Sequence, residues 1–364
     1  MHIKFFNEIS KNNVAEAGGK GASLGEMTQA GIPVPNGFVI LSEAFNRIMK
    51  LDDLNVEIDS ILHRVNHEVV HTIDDASKKI QAIIMKAEMP KEISNEIEMA
   101  FKKLDAEFIA VRSSATSEDS ADAAWAGQLD TFLNTTENEL LENVKKCWAS
   151  LFTPRAIYYR FEKGLHGSPI SVAVVVQKMI QSETSGIAFS VHPVTQDTNQ
   201  MIIEAGFGLG EAIVSGQVTP DSYVIEKGKN KVIDINVAQQ TKGLFKNGWK
   251  DLGEKGKEQV LTEGQVLELG KLILKIENHY GFPCDIEWAF ANDTFFITQS
   301  RPITTLSQQN IEKILHSSDY QRLFRVIAGG VAFHTSDVFR RYYETLATVL
   351  TVSDSVWTSY IPRN

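Results

Sequence analysis

The chain has 364 residues, of which 43% are hydrophobic and 23% charged, and its net charge is −10. That length exceeds one small core and points to two or more lobes of an ordinary soluble globular protein. The acidic balance argues against nucleic acid as the main partner, because a phosphate backbone needs a basic surface; a nucleotide held by a few local cations and a metal remains allowed. Cys147 and Cys284 are the only cysteines and neither sits in a C-x-x-C, so no disulfide framework or zinc knuckle is indicated. The N-terminus has no long apolar region, and no stretch approaches the ~18 apolar residues of a membrane span, so a cytoplasmic protein is expected.

Residues 1–40 read as a short strand, a glycine loop, a helix from about Ala22 to Ala30, and a turn. The loop, Gly18-Gly19-Lys20-Gly21-Ala22-Ser23-Leu24-Gly25, opens that helix. Bare amides at a helix start can approach phosphate oxygens, and Lys20 adds a mobile charge. The order of a Walker A loop is absent, and a flexible turn with a solvated lysine is the plain alternative. Residues 41–106 read as helical, with Ser42 as a cap and Pro90 opening a helix to about Leu104. His63, His67 and His71 fall on one face of a predicted helix, either a metal stripe or a solvated face.

From Glu107 strands are predicted. Phe108 to Val111 lead into Arg112-Ser113-Ser114-Ala115-Thr116-Ser117-Glu118-Asp119, placing an arginine where an apolar strand ends in a hydroxyl-rich loop. A guanidinium at a strand end suits phosphate; an ion pair with Glu118 or Asp119 is the alternative. Trp125 to Phe132 follows, with small residues that let a ligand approach the backbone. Helices are expected at about 137–151 and 154–163, then strands at 171–180, 186–191 and 201–205. Gln177 ends the apolar run Val172 to Val176, where an adenine ring would find apolar walls and backbone groups; a core strand ending in solvent explains it almost as well. Gly206-Phe207-Gly208-Leu209-Gly210 lacks the full spacing of a dinucleotide loop. Residues 222–238 read as a strand pair, 240–260 as a polar Lys/Gly-rich connection, and 263–280 as a helix. The order is mixed α/β without regular strand–helix alternation.

A hairpin near residue 290 is the most informative segment. Asp285 and Glu287 share one face of its first strand, Gln299 and Arg301 one face of its second. A three-residue loop sets Glu287 opposite Gln299 and Asp285 opposite Arg301; a two-residue loop sends them to opposite faces. A carboxylate beside an amide oxygen, with a guanidinium next door, suits a Mg²⁺ ion bridging phosphates, against the plain reading of a surface ion pair.

Together GGKGASLGEM, GIPVPNGF, VRSSATSED, WAGQLDTFLN, CWASLFTPRAIYYR, GLGEAIVSGQVTPDSY and DIEWAF…ITQSRP resemble the N-terminal nucleotide-binding domain of the phosphoenolpyruvate synthase and pyruvate phosphate dikinase family. They run in family order from about residue 5 to 306. Rifampin phosphotransferases share the domain. The resemblance implies a two-lobed ATP-grasp fold with a helical N-terminal insertion, and ATP and Mg²⁺ as ligands. It implies that Lys20 and Arg112 hold phosphates, Gly127 and Thr131 line the nucleotide, and Gln177 sits near the adenine. Glu287 and Gln299 would coordinate Mg²⁺, with Arg301 on the transferring phosphates. The implied division is 1–106 for the first lobe, 107–306 for the ATP-grasp region and 307–364 for the mainly helical start of a following domain.

In the family a histidine on a separate domain is pyrophosphorylated and passes one phosphoryl group to the acceptor. Gly329-Gly330-Val331-Ala332-Phe333-His334 reproduces the glycine–histidine spacing but lacks the small and hydroxyl or cysteine residues of that signature. The phosphohistidine is therefore expected on a domain or subunit outside this chain, with pyruvate as final acceptor. A fragment, a truncated form or one subunit of a split enzyme is expected. An antibiotic phosphotransferase and a stand-alone ATP-binding module remain the alternatives.

Overall fold

The computed structural model describes residues 2–116, 130–165 and 171–303, all within one compact unit ending at Ile303. Helices and antiparallel strands mix, as the sequence predicts. The helices are α1 (Val14–Gln29), α2 (Ser42–Met49), α3 (Leu54–Leu62), α4 (Val70–Lys86), α5 (Lys91–Leu104), α6 (Leu140–Ala149), α7 (Pro154–Glu162), α8 (Glu211–Val214) and α9 (Glu263–Tyr280). Among the described residues no helix is long and apolar enough to cross a membrane.

The first sheet joins β1 (Ile3–Phe5), β2 (Gly37–Ile40), β3 (Ile109–Ala115), β4 (Thr131–Thr135) and β5 (Val172–Lys178) in the order β1-β2-β5-β3-β4. Its central strands are apolar on both faces because both are covered. Val172, Val174 and Val176 pack with helices α2 to α7, while Ala173 and Val175 face α1 and the second sheet. Alternation along β3 therefore sends Ile109 and Val111 into the helical core, and Ala110, Arg112 and Ser114 towards the second sheet.

The second sheet contains β6 (Thr184–Phe189), β7 (Gln200–Phe207), β8 (Asp221–Glu226), β9 (Lys231–Asn236), β12 (Cys284–Ala291) and β13 (Thr294–Pro302) in the order β13-β12-β6-β7-β8-β9. Helix α9, capped by Thr262, covers the face that carries Ala188, Ile203, Tyr223 and Ile286. The opposite face, with Glu287 and its neighbours, is left towards the first sheet. Helix α1 binds the sheets together: Ser23 Oγ donates to the Ser300 carbonyl at 2.8 Å. At the far end buried Asp221 accepts from Ala238 N, Val260 N and the Tyr223 hydroxyl, fixing the chain that leaves β9.

Several predicted elements are corrected. The glycine loop is not a loop before Ala22 but part of α1, broken at Gly18, whose φ of 68° and ψ of 169° are reached only by residues without a Cβ. Strand β3 continues through Arg112, Ser113 and Ser114 instead of ending at Val111. Ser42 caps nothing; its hydroxyl donates to the Ala15 carbonyl from inside α2. Residues 240–260 hold a further hairpin, β10 (Lys242–Phe245) with β11 (Gly248–Asp251). His63, His67 and His71 do not share a helix face, because α3 ends at Leu62 and α4 begins at Val70; His67 stacks on Phe161.

The break in α1 is a docking point. A Cβ on Gly18 would lie 2.2 Å from Ser114 Oγ and 2.4 Å from the Ser114 carbonyl oxygen. Ser114 Oγ donates to the Ala17 carbonyl and accepts from Gly21 N, filling the gap in the helix with the end of β3. Gly18→Ala is expected to cost at least about 3 kcal/mol, the sum of a forbidden backbone region and a backbone clash. Gly31→Ala, at φ 64° with nothing within 4 Å, is expected to cost only about 1 kcal/mol. Urea unfolding of both variants checks the difference.

Candidate functional site: a guanidinium bridge between two sheets

Arg112 is 9% exposed and leaves β3 towards the second sheet. Its Nη2 donates to Gln299 Oε1 at 2.6 Å and to Glu287 Oε2 at 3.2 Å, and its Nη1 donates to the Thr298 carbonyl at 3.0 Å. Glu287 and Gln299 face each other across β12 and β13, and Asp285 faces Arg301. This is the pairing a three-residue loop predicts, but it arises otherwise. The turn has two residues, Asn292 and Asp293, both at positive φ, the arrangement of a type I′ hairpin. A bulge then skips Thr298 between the Glu287–Gln299 and Trp288–Ile297 pairs. The extra residue restores the parity and frees the Thr298 carbonyl for Arg112.

Of the remaining predicted residues, Thr131, Gln177 and Arg301 lie on strands of the two sheets that this bridge joins. Thr131 pairs with Arg112 across β3 and β4 and shares its face of the sheet. Gln177 lies opposite Ala110, one step along the same face, buried and donating from Nε2 to the Pro35 carbonyl at 3.4 Å. Lys20 follows the Gly18 break in α1, beside docked Ser114. Its charge reaches the Cys147 thiol beneath β3, which burial pushes up to about 12. Arg301 is exposed and binds Asp285 from Nε at 2.8 Å and from Nη2 at 2.7 Å. Burial raises the Asp285 carboxyl, and Arg301 opposes the rise. Gly127, with Glu118 and Asp119, lies outside the described residues, as do Gly329, Gly330 and His334.

Sequence reasoning missed Glu204. It pairs with Ile187 on β6, and Ile187 pairs with Glu287, so all three stand in one row on the open face of the second sheet. Two strand spacings separate the carboxylates, about 10 Å. Glu204 is half-buried, and among the described residues its carboxylate makes no hydrogen bond or ion pair. Burial alone raises its carboxyl. The signal available was the alternation of β7, where a glutamate interrupts Met201 to Ala205 on the face opposite Ile203. A different cluster, His2 with Glu92 and Glu96, has metal-ligand spacing, but hydrogen bonds to Glu96 already engage His2.

Glu287 and Gln299 offer two hard oxygens that converge on one cation, the Arg112 guanidinium. A divalent cation such as Mg²⁺ would find in Glu287 and Gln299 the hard oxygen donors it prefers. The residues present therefore fit the predicted metal.

Residues 14–322 match the family described as pyruvate phosphate dikinase, AMP/ATP-binding domain. The chain belongs to this family. It is 45% identical over 323 residues to the probable phosphoenolpyruvate synthase of Archaeoglobus fulgidus, covering 86% of this chain and 43% of that protein. It is 40% identical over 338 residues to the probable phosphoenolpyruvate synthase of Methanocaldococcus jannaschii, covering 88% of this chain and 28% of that protein. The rifampicin phosphotransferase of Bacillus subtilis is 39% identical over 312 residues, covering 82% of this chain and 36% of that protein. The chain thus spans less than half the length of each of these three. Within the pyruvate phosphate dikinase family the matched stretch takes in Lys20, Arg112, Glu287, Gln299 and Arg301.

A carboxyl held above its unfolded value of 4.5 favours the folded state fully below that pH and loses the benefit as pH rises through the folded value. Glu204→Gln has no such ionisation. Its stability relative to the wild type is therefore expected to rise between about pH 4 and about pH 8, by thermal melting across that range. A flat difference contradicts the burial reading.

Proposed function

We propose that this chain is the ATP-binding part of a phosphoenolpyruvate synthase-like dikinase. The observation that carries the reading is the meeting of Arg112, from the first sheet, with Glu287 and Gln299, from the second. The proposed architecture is an ATP-grasp clamp, with the nucleotide between the two sheets. Glu287 and Gln299 hold Mg²⁺, which when bound neutralises phosphate charge. Lys20 and Arg112 take phosphate oxygens, and Arg301 lies along the transferring phosphates. Gln177, with its apolar neighbours on β5, stands on the adenine side, and Thr131 and Gly127 line the nucleotide. The protein contributes position and charge to phosphoryl transfer, and the described residues supply no covalent intermediate to it.

The acceptor in this reading is a histidine on another domain or chain, which receives a pyrophosphoryl group and then phosphorylates pyruvate. ATP, pyruvate and water become AMP, phosphoenolpyruvate and phosphate. The likeness to the rifampicin phosphotransferase supports a second acceptor, the antibiotic, through the same nucleotide site. A stand-alone ATP-binding module is the third reading, and the full set of charged residues speaks only against a decayed enzyme that no longer binds nucleotide.

Calorimetric titration with ATP, with and without Mg²⁺, tests the site. Wild type is expected to bind in a metal-dependent way. Glu287→Ala is expected to lose at least about 100-fold in affinity, roughly 2.7 kcal/mol, with its fold intact by circular dichroism. Unchanged affinity in that variant removes the metal assignment. His334→Ala is expected to bind ATP as wild type does, and a loss of phosphoenzyme in it would return His334 to the mechanism.

A further inference from the structure

Arg112 performs two incompatible tasks. Its Nη2 donates to the same oxygens of Glu287 and Gln299 that the proposed function gives to the metal. We infer that Arg112 guards the metal position, so that a divalent cation enters only with a nucleotide polyphosphate. The inference rests on the assignment of Glu287 and Gln299 as metal ligands.

Three acceptors hold the guanidinium in a buried place, and the third, the Thr298 carbonyl, exists for it because of the bulge in β13. A metal arriving alone would have to take Glu287 and Gln299 while Arg112 stayed within contact distance, uncompensated. Repulsion between a divalent ion and a guanidinium in a partly dry cleft far exceeds thermal energy. A polyphosphate removes that obstacle by offering the guanidinium new acceptors of matching fork geometry. Arg112 Nε is buried and among the described residues has no acceptor, so one donor already stands unused for such an anion. The guanidinium then moves from the carboxylate to phosphate, and the two protein oxygens pass to the metal that travels with the nucleotide.

The arrangement also explains how an acidic site can stay closed to free metal. Glu287 is never bare: the arginine compensates it until the cation that travels with the polyphosphate takes its place. Arg112 is thus placed as a binding-order device as well as a phosphate ligand.

Protein-bound Mn²⁺, followed by water-proton relaxation without nucleotide, tests this on the purified chain. Wild type is expected to show no specific binding up to millimolar Mn²⁺. Arg112→Ala is expected to gain nucleotide-free Mn²⁺ affinity by at least about tenfold, and Arg112→Ala/Glu287→Ala to lose that gain. Arg112→Gln serves the same comparison if the alanine variant fails to fold. Mn²⁺ binding by nucleotide-free wild type that Glu287→Gln abolishes overturns the guard, and this arm needs no Arg112 variant. A folded Arg112 variant without any gain overturns it too. Metal-dependent ATP binding by wild type, lost in Glu287→Ala, leaves the metal assignment standing in either case; failure of that control removes the assignment and the guard together.

Discussion

A single guanidinium, carried by one sheet and held by three oxygens of another, is the interaction around which the described structure is arranged. Arg112 reaches Glu287 across 175 residues of sequence and Gln299 across 187. Everything that places it is backbone work. The alternation of β3 aims it, the docking of Ser114 into the break of α1 fixes the strand end, and the bulge in β13 turns a carbonyl to meet it. Removing one partner from a partly buried pair of this kind leaves the other charged and unpaired, at a cost below the about 3–5 kcal/mol of a fully buried pair. The same cluster that fastens the sheets is therefore the one whose charges must be exchanged when a ligand enters.

Much of this was legible in the sequence because strand alternation is strict. A three-residue loop sets Asp285, Glu287, Gln299 and Arg301 in facing pairs and a two-residue loop does not; the structure pairs them, with a two-residue turn. A two-residue turn should have separated them, and a one-residue bulge, which no local propensity of Thr298 announces, cancelled the difference. Helix α9 spans the expected residues 263–280, and in the structure Thr262 caps it and Gly281 ends it. The glycines near Lys20 were read as a loop because Gly lowers helix propensity; in the fold only Gly18 breaks the helix, and the rest lie within it so that α1 can press on its neighbours.

What was not legible is what depends on distant partners. Glu118 and Asp119 were nearer candidates for Arg112 than Glu287, and nothing in sequence spacing favours a carboxylate 175 residues away. Glu204 passed as an ordinary strand residue because its significance is its row, shared with Ile187 and Glu287 only once β6 lies between β7 and β12. The hairpin β10–β11 hid in a polar, lysine-rich stretch whose aromatic residues are covered by those lysines: Lys242 sits over Trp249 at 4.2 Å and Lys250 over Phe245 at 5.3 Å. The histidine stripe failed for the opposite reason, since periodicity continued through a segment that the chain uses to turn between α3 and α4.

Arg112 and Glu287 act as one unit joining the two sheets. A double-mutant cycle on unfolding free energy, with Arg112→Ala, Glu287→Ala and the pair in protein without added nucleotide, measures that directly. A coupling of about 2 kcal/mol is expected, the double variant being much less destabilised than the sum of the two singles. Additive effects, with coupling near zero, would mean that the two residues touch without depending on each other, and that the sheets are joined by other contacts.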